Sequence, residues 1–172
     1  DELEGDKDMQ ANPGPALARG LTNVDNRLRK EHRALAFEAG TTAIVAVLRR
    51  DRIWTACCGD SRCVKGVRQP NGNWKAKDLS IDHKPDLPAE RERIESFGGL
   101  LDIDQEIGVA RVISADGRNG LAMSRSIGDH KFDNVGVLSE AATPEDSTKE
   151  ADGGLLLPSA GVGEFLSVGG AI

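Results

Sequence analysis

The apolar positions near the start of the chain fall at helical spacing. Leu17, Leu21, Val24 and Leu28 recur at i, i+4, i+7 and i+11, which is one face of a helix. Pro15 suits the first turn, and Gly20 weakens the pattern only slightly, so a helix is expected over 15–35. Residues 1–14 are different: acidic, then rich in Pro and Gly, with almost no apolar side chain. They read as a flexible arm or an inserted loop. Beyond Gly40 the pattern turns to short β-branched runs punctuated by turn residues. Strands are expected over 42–48, 53–58, 62–67 and 74–79, separated by "RRD", "GDS" and "QPNGN". Short strands joined by short turns predict an antiparallel meander. The run 42–48 is almost wholly apolar, as a strand covered on both faces would be.

The stretch "PDLPAERERIESFGG" carries a complete set of helix signals. Pro88 stands at the start, Glu90 and Glu92 in the first turn, and Gly98 and Gly99 at the end. After it, "GVARV" fits a short strand and "AMSRSIGD" a turn or short helix. "TPEDSTKEADGG" is polar and acidic and is expected to be a loop. "GEFLSVGGAI" is a final strand candidate.

Composition narrows the classes. The chain has 172 residues, enough for one core, and 28 acidic against 22 basic residues give a net charge of −6. No basic cluster is longer than "RLRKEHR", so a nucleic-acid partner is not expected. No apolar run approaches a membrane span, and no basic-then-apolar leader opens the sequence, which points to a cytoplasmic or nuclear setting. Cys57, Cys58 and Cys63 are an odd count, lack Cys-x-x-Cys spacing, and have no histidine closer than twenty residues. Adjacent cysteines on a strand also point to opposite faces, so all three read as small buried hydrophobes.

Three blocks then come in one order: "GTTAIVAVLRRDRIWTACCGDSRCV", "LSIDHKPDLPAERERIESFGG" and "GLAMSRSIGDHKFDNVGVLSE". Together they resemble the metal-dependent serine/threonine protein phosphatases of type 2C. The resemblance implies an α+β fold: an antiparallel β-sandwich flanked by helices, here incomplete at both ends, over 15–172. It implies a flap over 84–120 beside the active cleft, and Mn2+ or Mg2+ as cofactors. It also implies phosphoserine and phosphothreonine proteins as partners. No membrane is implied, and the oligomeric state is left open.

Residue by residue, Asp60 of "GDSR" matches a family aspartate at a third, weaker metal position. Its residue type alone also fits a simple Gly-Asp turn. The resemblance assigns structural roles near the cleft to Arg62, Ser124, Arg125, Gly128 and Asp129, with Ser124 and Arg125 holding their segment by hydrogen bonds and an ion pair. His83 of "DHKP" leads into the flap and is not the family's catalytic histidine. No catalytic residue is assigned. The sequence carries no Asp-Gly-His-Gly-Gly motif, and Ala171 aligns where a second metal aspartate stands in the family. Two expectations follow. The chain is part of a phosphatase lacking several metal ligands and inactive by itself, or it is a catalytically inactive phosphatase-like binding or regulatory protein.

Overall fold

The computed structural model describes residue 3, residues 6–148 and residues 152–159. Its helices are α1 (Asp8–Ala11), α2 (Pro13–Glu31), α3 (Arg33–Glu38) and α4 (Pro88–Ser96), with a 3-10 helix over His130–Val135. The strands of the first half are β1 (Gly40–Thr41), β2 (Ala43–Arg49), β3 (Arg52–Cys58), β4 (Val64–Arg68) and β5 (Trp74–Asp78). Those of the second half are β6 (Leu100–Ile103), β7 (Ala110–Ile113), β8 (Gly120–Leu121), β9 (Ile127–Gly128), β10 (Glu145–Ser147) and β11 (Leu155–Leu156).

Two antiparallel sheets, in the orders β10-β3-β2 and β11-β4-β5, form the centre. The strand period of two sorts their side chains into layers. Ile53, Cys63 and Leu79 pack together with Ile44, Ala46 and Leu155, filling the space between the sheets. On the opposite face of the first sheet, Trp54 and Ala56 pack with Val45 and Val47 against Leu17 and Leu21 of α2. This explains the unbroken apolar run of β2: one face meets the second sheet and the other meets the helix. The residues of β2 are nevertheless only half-buried, and Leu48 is exposed, because β2 is an edge strand, whereas central β3 is buried from Ile53 to Cys58.

Three expectations are corrected here. The four first-half strands are not one meander. β2 and β3 form one hairpin and β4 and β5 another, and residues 59–63 cross from the first sheet to the second. Gly59 begins that crossover at φ +97°, and a Cβ there would lie 2.3 Å from Thr42 Cγ2, so the chain leaves the sheet where only glycine fits. Next, the acidic loop after Thr143 contributes β10, which pairs with Arg52, Ile53 and Trp54 and closes an edge of β3. The long helix begins at Pro13 and breaks at His32, whose φ of −131° is not helical, before resuming as α3. In the stretch read as an arm or insert, Asp8–Ala11 form one helical turn, and Asp6 and Asp8 both pair with Arg19 of α2.

The stretch 84–120, expected to be a flap, packs onto the 3-10 helix. α4 is followed by the antiparallel sheet β6-β7-β8. Ile94 of α4 and Val112 of β7 are fully buried against Phe132, Val135 and Val137. The final strand candidate "GEFLSVGGAI" lies outside the described residues.

Candidate functional site

The crossover from β3 to β4 carries Asp60, and three rungs fasten it to residues 82–84. Arg62 donates to both oxygens of Asp82, at 3.1 and 2.8 Å. Gly59 N–H donates to His83 Nδ1 at 3.2 Å, and His83 N–H returns a bond to Gly59 O at 2.9 Å. Lys84 Nζ donates to Asp60 Oδ2 at 2.6 Å. Thr42 and Ser61 hydroxyls, 2.7 Å apart, brace the turn from the start of β2.

His83 is therefore a turn-holding residue. Burial, with the Arg125 guanidinium nearby, pushes its pKa down to about 4. It is neutral at pH 7, accepting at Nδ1 and carrying its proton at Nε2.

A second polar group lies one step away. Ser124 N–H donates to His83 O at 2.9 Å, and Ser124 Oγ donates to Glu90 Oε2. Arg125 donates to both oxygens of Glu90, and Arg93 pairs with the same carboxylate at 2.9 Å. Arg93 also holds Ser124 O and Gly136 O, at 2.8 and 2.9 Å. Burial opposes ionisation of Glu90, but bonds from Arg125 and Ser124 outweigh it and bring the carboxyl down to about 2. Ser124 and Arg125 thus hold their segment to α4.

Gly128 and Asp129 belong to a third group, beside α2. Gly128 N–H donates to Asp25 Oδ1 at 2.8 Å, and His130 Nε2 lies 2.8 Å from the same oxygen. Burial resists ionisation of Asp25, yet the Gly128 and His130 bonds lower its pKa below the usual value. Asp129 sits at φ +53° and accepts Ser126 Oγ–H at 2.6 Å. A Cβ on Gly40 would lie 2.3 Å from Asp129 Oδ2, so glycine at 40 lets β1 pass over this carboxylate.

The sequence reading did not single out Glu90, Lys84, Asp82 or Asp25 as partners. One signal was available: Asp25 stands at i+4 from Leu21 and i−3 from Leu28, on the apolar stripe of α2. A carboxylate there is buried, at 3% exposure, and buried carboxylates need partners.

Asp60 differs from the other buried carboxylates. Its side chain is 4% exposed, Lys84 engages Oδ2, and Oδ1 is buried with no hydrogen-bond partner. A bare buried acceptor costs about 1–3 kcal/mol. Asp60 also lines a cavity of about 310 Å³, together with Lys84, Asp86, Ala110 and Arg111.

Among the described residues, no three His, Cys, Asp or Glu side chains stand close enough to hold a metal ion. Mg2+ and Mn2+ favour several oxygen ligands. One carboxylate, half engaged by a lysine, does not supply them, so the described residues do not fit the metal centre that the sequence implies. Ala171 lies outside the described residues. The three cysteines are free and buried, and burial raises their thiols to about 12 for Cys57 and Cys58 and about 11 for Cys63. They are protonated at neutral pH and poor ligands or nucleophiles. Among the described residues no helix is long and apolar enough to cross a membrane.

This helix-covered double sheet is the architecture of a known class of protein. The family model for "Protein phosphatase 2C" matches residues 2–170, and the chain belongs to that family. It is 34% identical over 146 residues to "Probable protein phosphatase 2C 73" of Arabidopsis thaliana, covering 84% of this chain and 39% of that protein. It is 32% identical over 154 residues to "Probable protein phosphatase 2C 12" of Oryza sativa subsp. japonica, covering 88% and 40%. Among solved structures, a serine-threonine phosphatase 2C from Toxoplasma gondii superposes with a TM-score of 0.83 at 23% identity, over 99% of this chain and 60% of that one. A C. elegans sex determining protein gives 0.79 at 21% identity, over 96% and 38%. At these identities the structures establish the fold. The chain spans about two-fifths of the length of the curated relatives it matches.

Proposed function

We propose that these 172 residues are part of a protein serine/threonine phosphatase domain, in which they build the sandwich wall and the flap beside a phosphoprotein cleft. The observation that carries this reading is Asp60. It is a buried, under-satisfied carboxylate on the sandwich crossover, lining a cavity whose other wall is the flap. The cavity is lined by two carboxylates, Asp60 and Asp86, and two basic side chains, Lys84 and Arg111. The family is metal-dependent in general, and Mn2+ or Mg2+ is the proposed cofactor of a complete domain. A second reading, a phosphatase-like binding protein without catalysis, is favoured by the lone carboxylate and its lysine partner.

Hydrolysis of a small aryl phosphate in the presence of Mn2+ tests both. The 172-residue chain alone is expected to be no faster than buffer. A chain supplied with an Asp-Gly-His-Gly-Gly segment before it and an aspartate-bearing segment after it is expected to gain Mn2+-dependent turnover. Turnover by the unmodified chain would overturn the inactive state proposed for it. Failure of the supplemented chain to hydrolyse anything, while still binding a phosphopeptide, would favour the second reading.

A further inference from the structure

Arg49, Arg50 and Arg52 crowd the turn that joins β2 to β3. Arg49 and Arg52 stand directly opposite each other across the hairpin, so their side chains share one face. It is the face on which Val47 and Trp54, the next such pair, pack toward α2. Like charges directly opposite on a sheet are destabilising, yet this chain of net charge −6 places two arginines there and a third between them. Little nearby offsets them. Arg49 donates to a neutral acceptor, Gln10 O, at 2.8 Å. Arg52 pairs with Glu145 at 2.7 Å, but both side chains are exposed. Among the described residues the Arg50 side chain makes no hydrogen bond or ion pair. Its backbone is fixed at φ +51°, and Thr148 secures the turn, its hydroxyl donating to Arg50 O at 3.5 Å and its N–H to Asp51 O at 2.6 Å.

The three arginines line a cavity of about 460 Å³ with Gln10, Asp51 and Trp54. Trp54 is 8% exposed, and its indole N–H is buried with no acceptor. Against Asp51, the lining carboxylate, the arginines leave two positive charges, and counting Glu145 as well leaves one. We infer that this hairpin end binds a phosphoryl group, carried either by inorganic phosphate or by a phosphorylated side chain of a partner. Guanidinium forks match phosphate oxygens in pairs, and a phosphoryl group of about −1.5 to −2 near pH 7 offsets the local excess. β3 is seven residues long and runs from Arg52 to the crossover, so the site lies about 20 Å from Asp60. A group held there is out of reach of the crossover and is retained rather than hydrolysed. This holds whether or not the domain is catalytic, and the readout is binding.

Inorganic phosphate, titrated into the full chain in EDTA and followed by the amide NMR resonances of residues 49–54, tests the site. Saturable shifts at the hairpin and at Gln10 are expected. Arg50→Gln is expected to weaken binding about ten-fold, the screened effect of removing a unit charge about 4 Å from a phosphate in a water-like medium. Arg50→Lys should stay within about three-fold of the parent, and Asp51→Asn, which removes the opposing carboxylate, should bind about five-fold tighter. Arg111→Gln, at the Asp60 cavity, should leave the affinity unchanged. The same spectra report whether each variant is folded. Equal affinity of Arg50→Gln and parent overturns the proposal, as does a loss in Arg111→Gln equal to that in Arg50→Gln. A short peptide bearing one phosphoserine, and its unphosphorylated form, separate the two sources. Arg50-dependent binding of the phosphopeptide alone of the two supports a partner's side chain. Binding of inorganic phosphate but of neither peptide supports the free ion, and hairpin shifts with none of the three probes overturn the site.

Discussion

Two buried carboxylates, Glu90 and Asp60, are built in opposite ways. Glu90 receives Ser124, Arg93 and two arms of Arg125, and both of its oxygens are used. Asp60 receives one lysine and leaves an oxygen bare. Both are equally withdrawn from water, with side chains 6% and 4% exposed, so burial does not distinguish them. The supply of donors does. A saturated carboxylate fixes the position of the elements around it, here α4 and the segment of Ser124 and Arg125. An under-satisfied one is kept where a ligand or ion can complete it, at the expense of local stability.

The sharpest way to break this contrast is to remove Glu90. Glu90→Ala strands the guanidiniums of Arg93 and Arg125, whose side chains are only 17% and 20% exposed. Removing one partner of a buried ion pair costs about 3–5 kcal/mol. Urea unfolding at pH 7 should show a loss of that size. A loss below about 1 kcal/mol would mean that the saturated network does not fix α4.

Acid sharpens it next. His83 has a folded pKa of about 4 against 6.5 unfolded. The unfolded chain therefore takes up the proton first, and stability falls as pH drops from 6.5 toward 4, by about 3 kcal/mol at most. Glu90 adds a lower limb, since its pKa of about 2 lies below the ordinary 4.5 and its stabilisation is lost as pH falls through that range. His83→Gln should flatten the limb between pH 6.5 and 4 while leaving the lower one. Parallel pH profiles for His83→Gln and parent would show that the imidazole is hydrated rather than buried.

The contrast also explains what the sequence could reveal. Strand positions were legible because Ile53, Val45 and their neighbours form short apolar runs bounded by turn residues, and α4 because Pro88 and Gly98 mark its ends. The split of the meander into two sheets was not, since "GDS" carries the same turn residues whether the chain doubles back or crosses over. β10 was hidden because an edge strand of Glu145, Asp146 and Ser147 has no apolar face to show. Asp60 was visible through a short motif. Its partners were not, because Lys84 lies 24 residues away and Glu90 lies 34 and 35 from Ser124 and Arg125. Helix signals mark Glu90 as a first-turn acid and say nothing of what it binds across the fold.

The smallest effect is expected at Asp60, and it decides whether the two carboxylates really differ in kind. Asp60→Asn keeps the shape and removes the charge. What is lost is one ion pair to a lysine that is 30% exposed and can turn toward water. What is relieved is the burial of a charged group with one oxygen unpartnered. Exposed or half-exposed pairs contribute about 0–1 kcal/mol, and replacing a poorly compensated buried charge is often neutral or stabilising. The stability of Asp60→Asn should therefore lie within about 1 kcal/mol of the parent, in either direction, in the same urea series as Glu90→Ala. A loss approaching that of Glu90→Ala would place Asp60 among the groups that hold the sandwich together. A near-neutral result would show that Asp60, unlike Glu90, does not hold the fold together.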